Sequence, residues 1–131
     1  MTETIDLPFA DGSMLHVTLR GGDAWPNHVH LRIRGATDVD LGNLDINHYV
    51  ANLHAWVSGE TQAESTVQLN EIDVVWIANL SPHKHVLYGS AGLSTEHLIV
   101  IDALIAPPKV VAHLQLDDHC KQAWIAHFAS V

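Results

Sequence analysis

Three short runs near the start of the chain alternate strictly between apolar and polar residues, and a period of two commits them to β-strands with one buried face. Ile5, Leu7 and Phe9 alternate with Thr4 and Asp6; Leu15, Val17 and Leu19 alternate with His16, Thr18 and Arg20; Val29, Leu31 and Ile33 alternate with His28, His30, Arg32 and Arg34. A slip of one residue would turn each whole apolar set to water, so these runs fix their own facing. Asp11-Gly12 supplies turn chemistry between the first two, which predicts a hairpin. Gly21-Gly22-Asp23 opens a loop that ends at Pro26. A fourth strand, Thr37 to Leu41, puts Val39 and Leu41 inward and Asp38 and Asp40 outward.

Between Asp45 and Gly59 the period changes. Ile46, Tyr49, Val50, Leu53, Trp56 and Val57 have the spacing of one helical stripe, with Asp45 as N-cap and Gly59 beyond the end. Strands are expected again at Glu64 to Asn70, Val74 to Leu80, His83 to Gly89 and Glu96 to Ile105. After Pro107-Pro108 a last one runs from Val110 to Leu116. A second helix closes the chain, capped by Asp117, with Cys120, Ala123, Trp124, His127 or Phe128, and Val131 on one side. The order predicts an α+β fold: a large twisted antiparallel sheet made of two meanders, burying two amphipathic helices on one face. The phrases HAWVSG and QAWIAHF hint at an internal duplication, although their tryptophans stand at different distances from the helix caps.

A chain of 131 residues, 47% hydrophobic and 16% charged, with no low-complexity tract, is expected to form a single globular domain, 1–131. The start, MTETIDLPFADGS, has acids where a signal peptide carries basic residues, and the longest apolar run, LIVIDALIA, is interrupted by Asp102. A cytoplasmic protein is expected. The single Cys120 forms no internal disulfide and reads as a small buried hydrophobe. Fifteen Asp and Glu against six Lys and Arg give a formal charge of -9, which repels nucleic acid and anionic lipid and draws basic partners. Eleven histidines, if all protonated, would more than cancel that charge. A partner held by it is then expected to weaken below about pH 6, and a histidine-controlled pH sensor is an alternative reading.

Strand periodicity places His28, His30, Arg32 and Arg34 on one face, with His16, Thr18 and Arg20 in the same class of outward positions. A three-residue loop at Gly35, Ala36 and Thr37 would set Arg34 against Asp38, Ile33 against Val39 and Arg32 against Asp40, so that the arginines are balanced by neighbouring aspartates. The alternative is a metal site. Two imidazoles at i and i+2 on a strand can hold one ion, and His83 and His85 form another such pair that would complete it if the strands were adjacent. The stretch from Gly22 through His28-Val29-His30 to Gly42 resembles the first metal motif of the cupins. Gly35 stands where that family has its metal-binding glutamate, and the second motif is absent. The resemblance implies a metal-dependent enzyme acting on a small molecule, with His28 and His30 as ligands.

Asp102 lies on the apolar pattern of HLIVIDALIAP and needs a partner. Pairing this strand with the next across the Pro-Pro loop brings it to His113, with Ile99, Ile101, Ala103 and Ile105 facing Val110, Ala112, Leu114 and Leu116. An Asp-His pair is half of a nucleophilic triad, yet no GxSxG, GxxxxGK[ST], HExxH, CxxC or GxGxxG is present. No catalytic residue and no cofactor is therefore expected. In size, charge and strand-helix layout the chain resembles small immunity proteins of bacterial toxin systems. That resemblance implies a non-catalytic inhibitor, monomer or homodimer, that neutralises a basic toxin domain and binds neither nucleic acid nor membrane. Trp25, in its glycine-rich loop, is the candidate anchor, with Asp23, Asp38, Asp40, Glu60 and Glu64 as the acidic surroundings.

Overall fold

The computed structural model describes residues 2–20, 28–36, 38–59, 66–69, 71–82, 84–90, 96–104, 107 and 109–130, and for residues 2, 3 and 20 the backbone alone. Its strands are β1 (Thr2–Pro8), β2 (Met14–Arg20), β3 (His28–Arg34), β4 (Val39–Asp45), β5 (Val67–Leu69), β6 (Ile72–Leu80), β7 (His85–Ser90), β8 (Glu96–Asp102) and β9 (Lys109–Leu116). The helical segments are α1 (Ile46–His48), a π-helical turn (Tyr49–Leu53), α2 (His54–Val57) and α3 (Asp118–Ser130). The fold is α+β, as the periodicities require. The two meanders, however, are separate antiparallel sheets, ordered β1-β2-β3-β4 and β5-β6-β7-β8-β9, and not one large sheet.

Among the described residues, backbone hydrogen bonds join the sheets at two places. Asn43 and Ser81 exchange backbone hydrogen bonds of 2.7 and 3.0 Å, and Ala10 in the β1–β2 turn donates to Gln115 O on β9 at 2.8 Å. Gly42 permits the first joint: a Cβ there would stand 2.5 Å from Ser81 O. β4 runs past its expected end at Leu41 and on to Asp45. Asp45 then caps α1, accepting from Asn47 N at 2.7 Å.

One core fills the space between the sheets. It takes Leu7, Leu15, Val17, Val29, Leu31 and Ile33 from the first, and Ile77, Leu80, Leu87, Leu98, Val100, Ala112, Leu114 and Leu116 from the second. The helices contribute Tyr49, Leu53, Trp56, Val57, Cys120, Trp124 and Phe128. Trp56 and Trp124, one from each half of the chain, meet edge-on at 5.7 Å. Gly89 leaves room for this pair, since a Cβ at that position would overlap the Trp56 ring. Both meanders thus end in a helix that delivers a tryptophan to the same place. In α3, Ala123 is exposed, whereas the rest of the expected stripe within the described residues is buried. Burial pushes the Cys120 thiol above its ordinary pKa, consistent with packing rather than reactivity.

The β8–β9 pairing departs from the expected register. Leu98 faces Leu114, Ile99 faces His113, and Asp102 faces Lys109, with a bulge between Val100 and Ile101. Asp102 accordingly does not meet His113; its carboxylate accepts from Leu104 N at 2.9 Å and closes the turn that follows the strand. The physical reason lies in β8, where Leu98, Ile99, Val100 and Ile101 are all buried. A strand that is apolar on both faces imposes no facing on its partner.

Candidate functional site: two outer faces of opposite character

The inner faces are consumed by the core, so any binding surface on the sheets lies on their outer sides. On the first sheet the registers align Asp6, His16, Arg32 and Asp40 in one row across all four strands. His16 Nδ1 lies 2.6 Å from Asp6 Oδ1, and His30 Nε2 lies 2.6 Å from Asp40 Oδ1. Arg32 donates through Nε and Nη2 to the two carboxylate oxygens of Asp38 at 2.9 and 3.2 Å, a two-pronged contact. The hydrogen bond from Arg32, opposed by desolvation, holds Asp38 below the usual carboxylate pKa, and the same bond raises the guanidinium further above its own.

The expected backbone register, Arg32 against Asp40 and Ile33 against Val39, is present. The side-chain pairs are not the expected ones. Arg32 bonds diagonally to Asp38, leaving Asp40 to His30, and Arg34 acts on Asp38 through its charge. Long side chains on a twisted ribbon reach the diagonal neighbour as readily as the one directly opposite.

His28 and His30 alternate with buried Val29 and Leu31 and so stand on the outer side. His85 is buried, with its Nδ1 3.0 Å from Leu41 O at the seam between the sheets. His83 lies outside the described residues. Among the described residues no three His, Cys, Asp or Glu side chains come together as metal ligands.

The outer side of the second sheet is apolar. Trp76 stands across from Tyr88, Tyr88 from Ile99, and Ile99 from His113. Val74, Ile99 and Ile101 form a second buried cluster with Leu69, Ile72, Tyr88 and Val110 packed against it, and no described helix contributes to it. At its open end Trp76 and Val67 are each 48% exposed. The Trp76 indole is fixed by a 3.0 Å hydrogen bond from Nε1 to Asn79 Oδ1. Exposed Glu71 and Asp73 lie just ahead of it in the chain, and Asp73 accepts from Gln68 Nε2 at 3.1 Å. At the other end His97 Nδ1 lies 2.9 Å from His113 Nε2. Partial burial, with repulsion from His113, holds the His97 pKa below its ordinary value.

Of the acidic surroundings expected for a partner, Asp38 and Asp40 lie on the first face, bonded to Arg32 and His30. Trp25, Asp23, Glu60 and Glu64 lie outside the described residues. Sequence reasoning passed over Trp76, Tyr88, His97 and His113 as a group. The run VVWIA is apolar throughout, and a bulge between Trp76 and Ala78 turns both Ile77 and Ala78 inward, so periodicity gave Trp76 no facing. No helix among the described residues is long and apolar enough to cross a membrane. Comparison with protein-family models, curated proteins and solved structures returns no match.

Proposed function

We propose that the protein is a non-catalytic binding module of immunity or inhibitor type, which neutralises a basic protein such as a toxin domain, with Trp76 as the anchor of the contact. The observation that carries this reading is the half-exposed, hydrogen-bonded Trp76 at the open end of an apolar sheet face, in a chain of net charge -9. A rigid tryptophan loses little conformational freedom on binding, and Trp is enriched among the residues that dominate interface affinity. The surrounding negative charge would speed the encounter and select for a basic surface. His16, His30 and Arg32 of the first sheet are already bonded to Asp6, Asp40 and Asp38, which supports assigning the contact to the second sheet.

The test is to look for a basic toxin domain encoded beside this gene and to titrate it into the protein at low and high salt. The reading expects affinity that falls with added salt, and a Trp76→Ala loss of about 2 kcal/mol or more, roughly thirtyfold in Kd. A toxin domain that does not bind, a complex indifferent to salt, or full affinity in Trp76→Ala would each overturn it.

A further inference from the structure

The His97–His113 pair lies at the other end of the same outer face from Trp76. We propose that it is a binding site for one divalent first-row transition metal ion, of the Zn2+, Ni2+ or Cu2+ kind, held by His97 Nδ1 and His113 Nε2. The two rings belong to adjacent antiparallel strands. His97 stands across from Gln115 and His113 across from Ile99, so the imidazoles are diagonal neighbours on one face. Their planes are tilted by 46° with centroids 5.1 Å apart, and a nitrogen of each ring is aimed at the other at 2.9 Å. A contact between two ring nitrogens requires that one donate a proton and the other offer its lone pair, so at least one ring is neutral.

Replacing that shared proton by a metal uses the same two nitrogens. At metal–nitrogen distances of about 2.0–2.1 Å, two ligands are separated by about 2.9 Å at a right angle and about 3.3 Å at a tetrahedral one. The existing spacing of 2.9 Å therefore needs little or no opening, while each ring turns on its side-chain torsions until both lone pairs converge on the ion beside the N···N line. In the all-neutral pair the donor ring moves its proton to its opposite nitrogen, and metal binding releases no net proton. No third His, Cys, Asp or Glu among the described residues joins the pair, so water fills the remaining positions. Beside it lies a cleft of about 330 Å³ lined by Ala10, Asp11, His113, Leu114 and Gln115. That cleft gives the ion access to solvent. Imidazole selects borderline cations over Mg2+ and Ca2+, and the net charge of -9 concentrates cations at the surface.

The experiment is calorimetric titration of chelator-stripped full-length protein with Ni2+ and with Zn2+ at pH 7.5, in the presence of excess Mg2+. One saturable site per chain is expected. His97→Ala and His113→Ala are each expected to weaken it by roughly tenfold or more, since even outer ligand partners cost that much in metal sites. His119→Ala, in a helix elsewhere, should leave it unchanged. His97→Gln and His113→Gln, which keep a polar side chain on the outer side of the sheet, repeat the test with the fold checked by circular dichroism. Absence of a saturable site, competition by Mg2+, or binding that survives both His97 and His113 substitutions would overturn the proposal. None of these outcomes depends on the toxin-binding reading.

Discussion

On the outer side of the first sheet, the positions between buried residues hold Asp6, His16, His30, Arg32 and Asp40, bonded to one another or to Asp38 across the strands. On the outer side of the second, the corresponding positions hold Val74, Trp76, Tyr88, Ile99, Ile101 and Val110. The inner faces of the two sheets are alike and share one core, so the outer faces distinguish them. A polar outer face satisfied by its own cross-strand pairs is a complete surface that offers a partner little beyond screened charge. An apolar outer face with a fixed, half-exposed tryptophan is a surface on which burial by a partner would remove hydrocarbon from water.

The difference should be measurable as stability. Ile99→Ala removes a fully buried side chain from the second sheet's outer cluster, and unfolding in denaturant should show a loss of about 2–5 kcal/mol. Arg32→Ala on the first sheet should barely move the same midpoint, because its ion pair with Asp38 is exposed and screened. Comparable losses for the two variants would remove the distinction between the faces.

A smaller effect is expected where the first meander hands over to its helix. Asp45→Ala deletes the acceptor for Asn47 N and should cost about 0.5–2 kcal/mol, with Asp45→Asn recovering most of it. If Asp45→Ala is neutral, packing of Tyr49, Leu53 and Trp56 against the core holds the segment without its cap.

The gentlest probe is pH. His97 has a folded pKa below its unfolded value, so the unfolded state takes up the proton first on acidification. The stability it contributes is present above about pH 6.5 and is lost as pH falls through the folded pKa. Asp117 adds a second step. Its carboxylate accepts from Cys120 N at 2.8 Å, which holds its pKa below the usual range, so its contribution is present above about pH 4 and is lost below. Denaturant midpoints measured across this range should fall in two stages on acidification, and His97→Gln should remove the upper one. A profile for His97→Gln identical to that of the parent would show that the imidazole pair does not report on the second face.

Much of the architecture was legible because one-sided strands carry their facing in their sequence. The alternations around Val17 and Leu31 specify which side chains are buried, and Asp45 and Asp117 mark helix starts by chemistry that needs no distant partner. The candidate site was far less legible. The facing of Trp76 depends on a bulge, and the His97–His113 contact depends on a β8–β9 register that the doubly apolar β8 does not encode. The ion pairs of the first sheet lay between these cases: the backbone register could be read, but the choice of Asp38 over Asp40 by Arg32 rests on side-chain reach across a twisted ribbon.

The chain by itself determined the α+β class, the one-faced strands of the first meander, the helix caps and the acidic charge, since each follows from residues close together along the backbone. Tertiary structure alone decided that the meanders are two sheets joined at Asn43–Ser81 and Ala10–Gln115, that Trp56 and Trp124 meet over Gly89, and that an aromatic and a pair of imidazoles share one outer face. Those outcomes depend on which distant strands pair and in what register, and a segment that is apolar on both sides leaves that choice to the packing of everything around it.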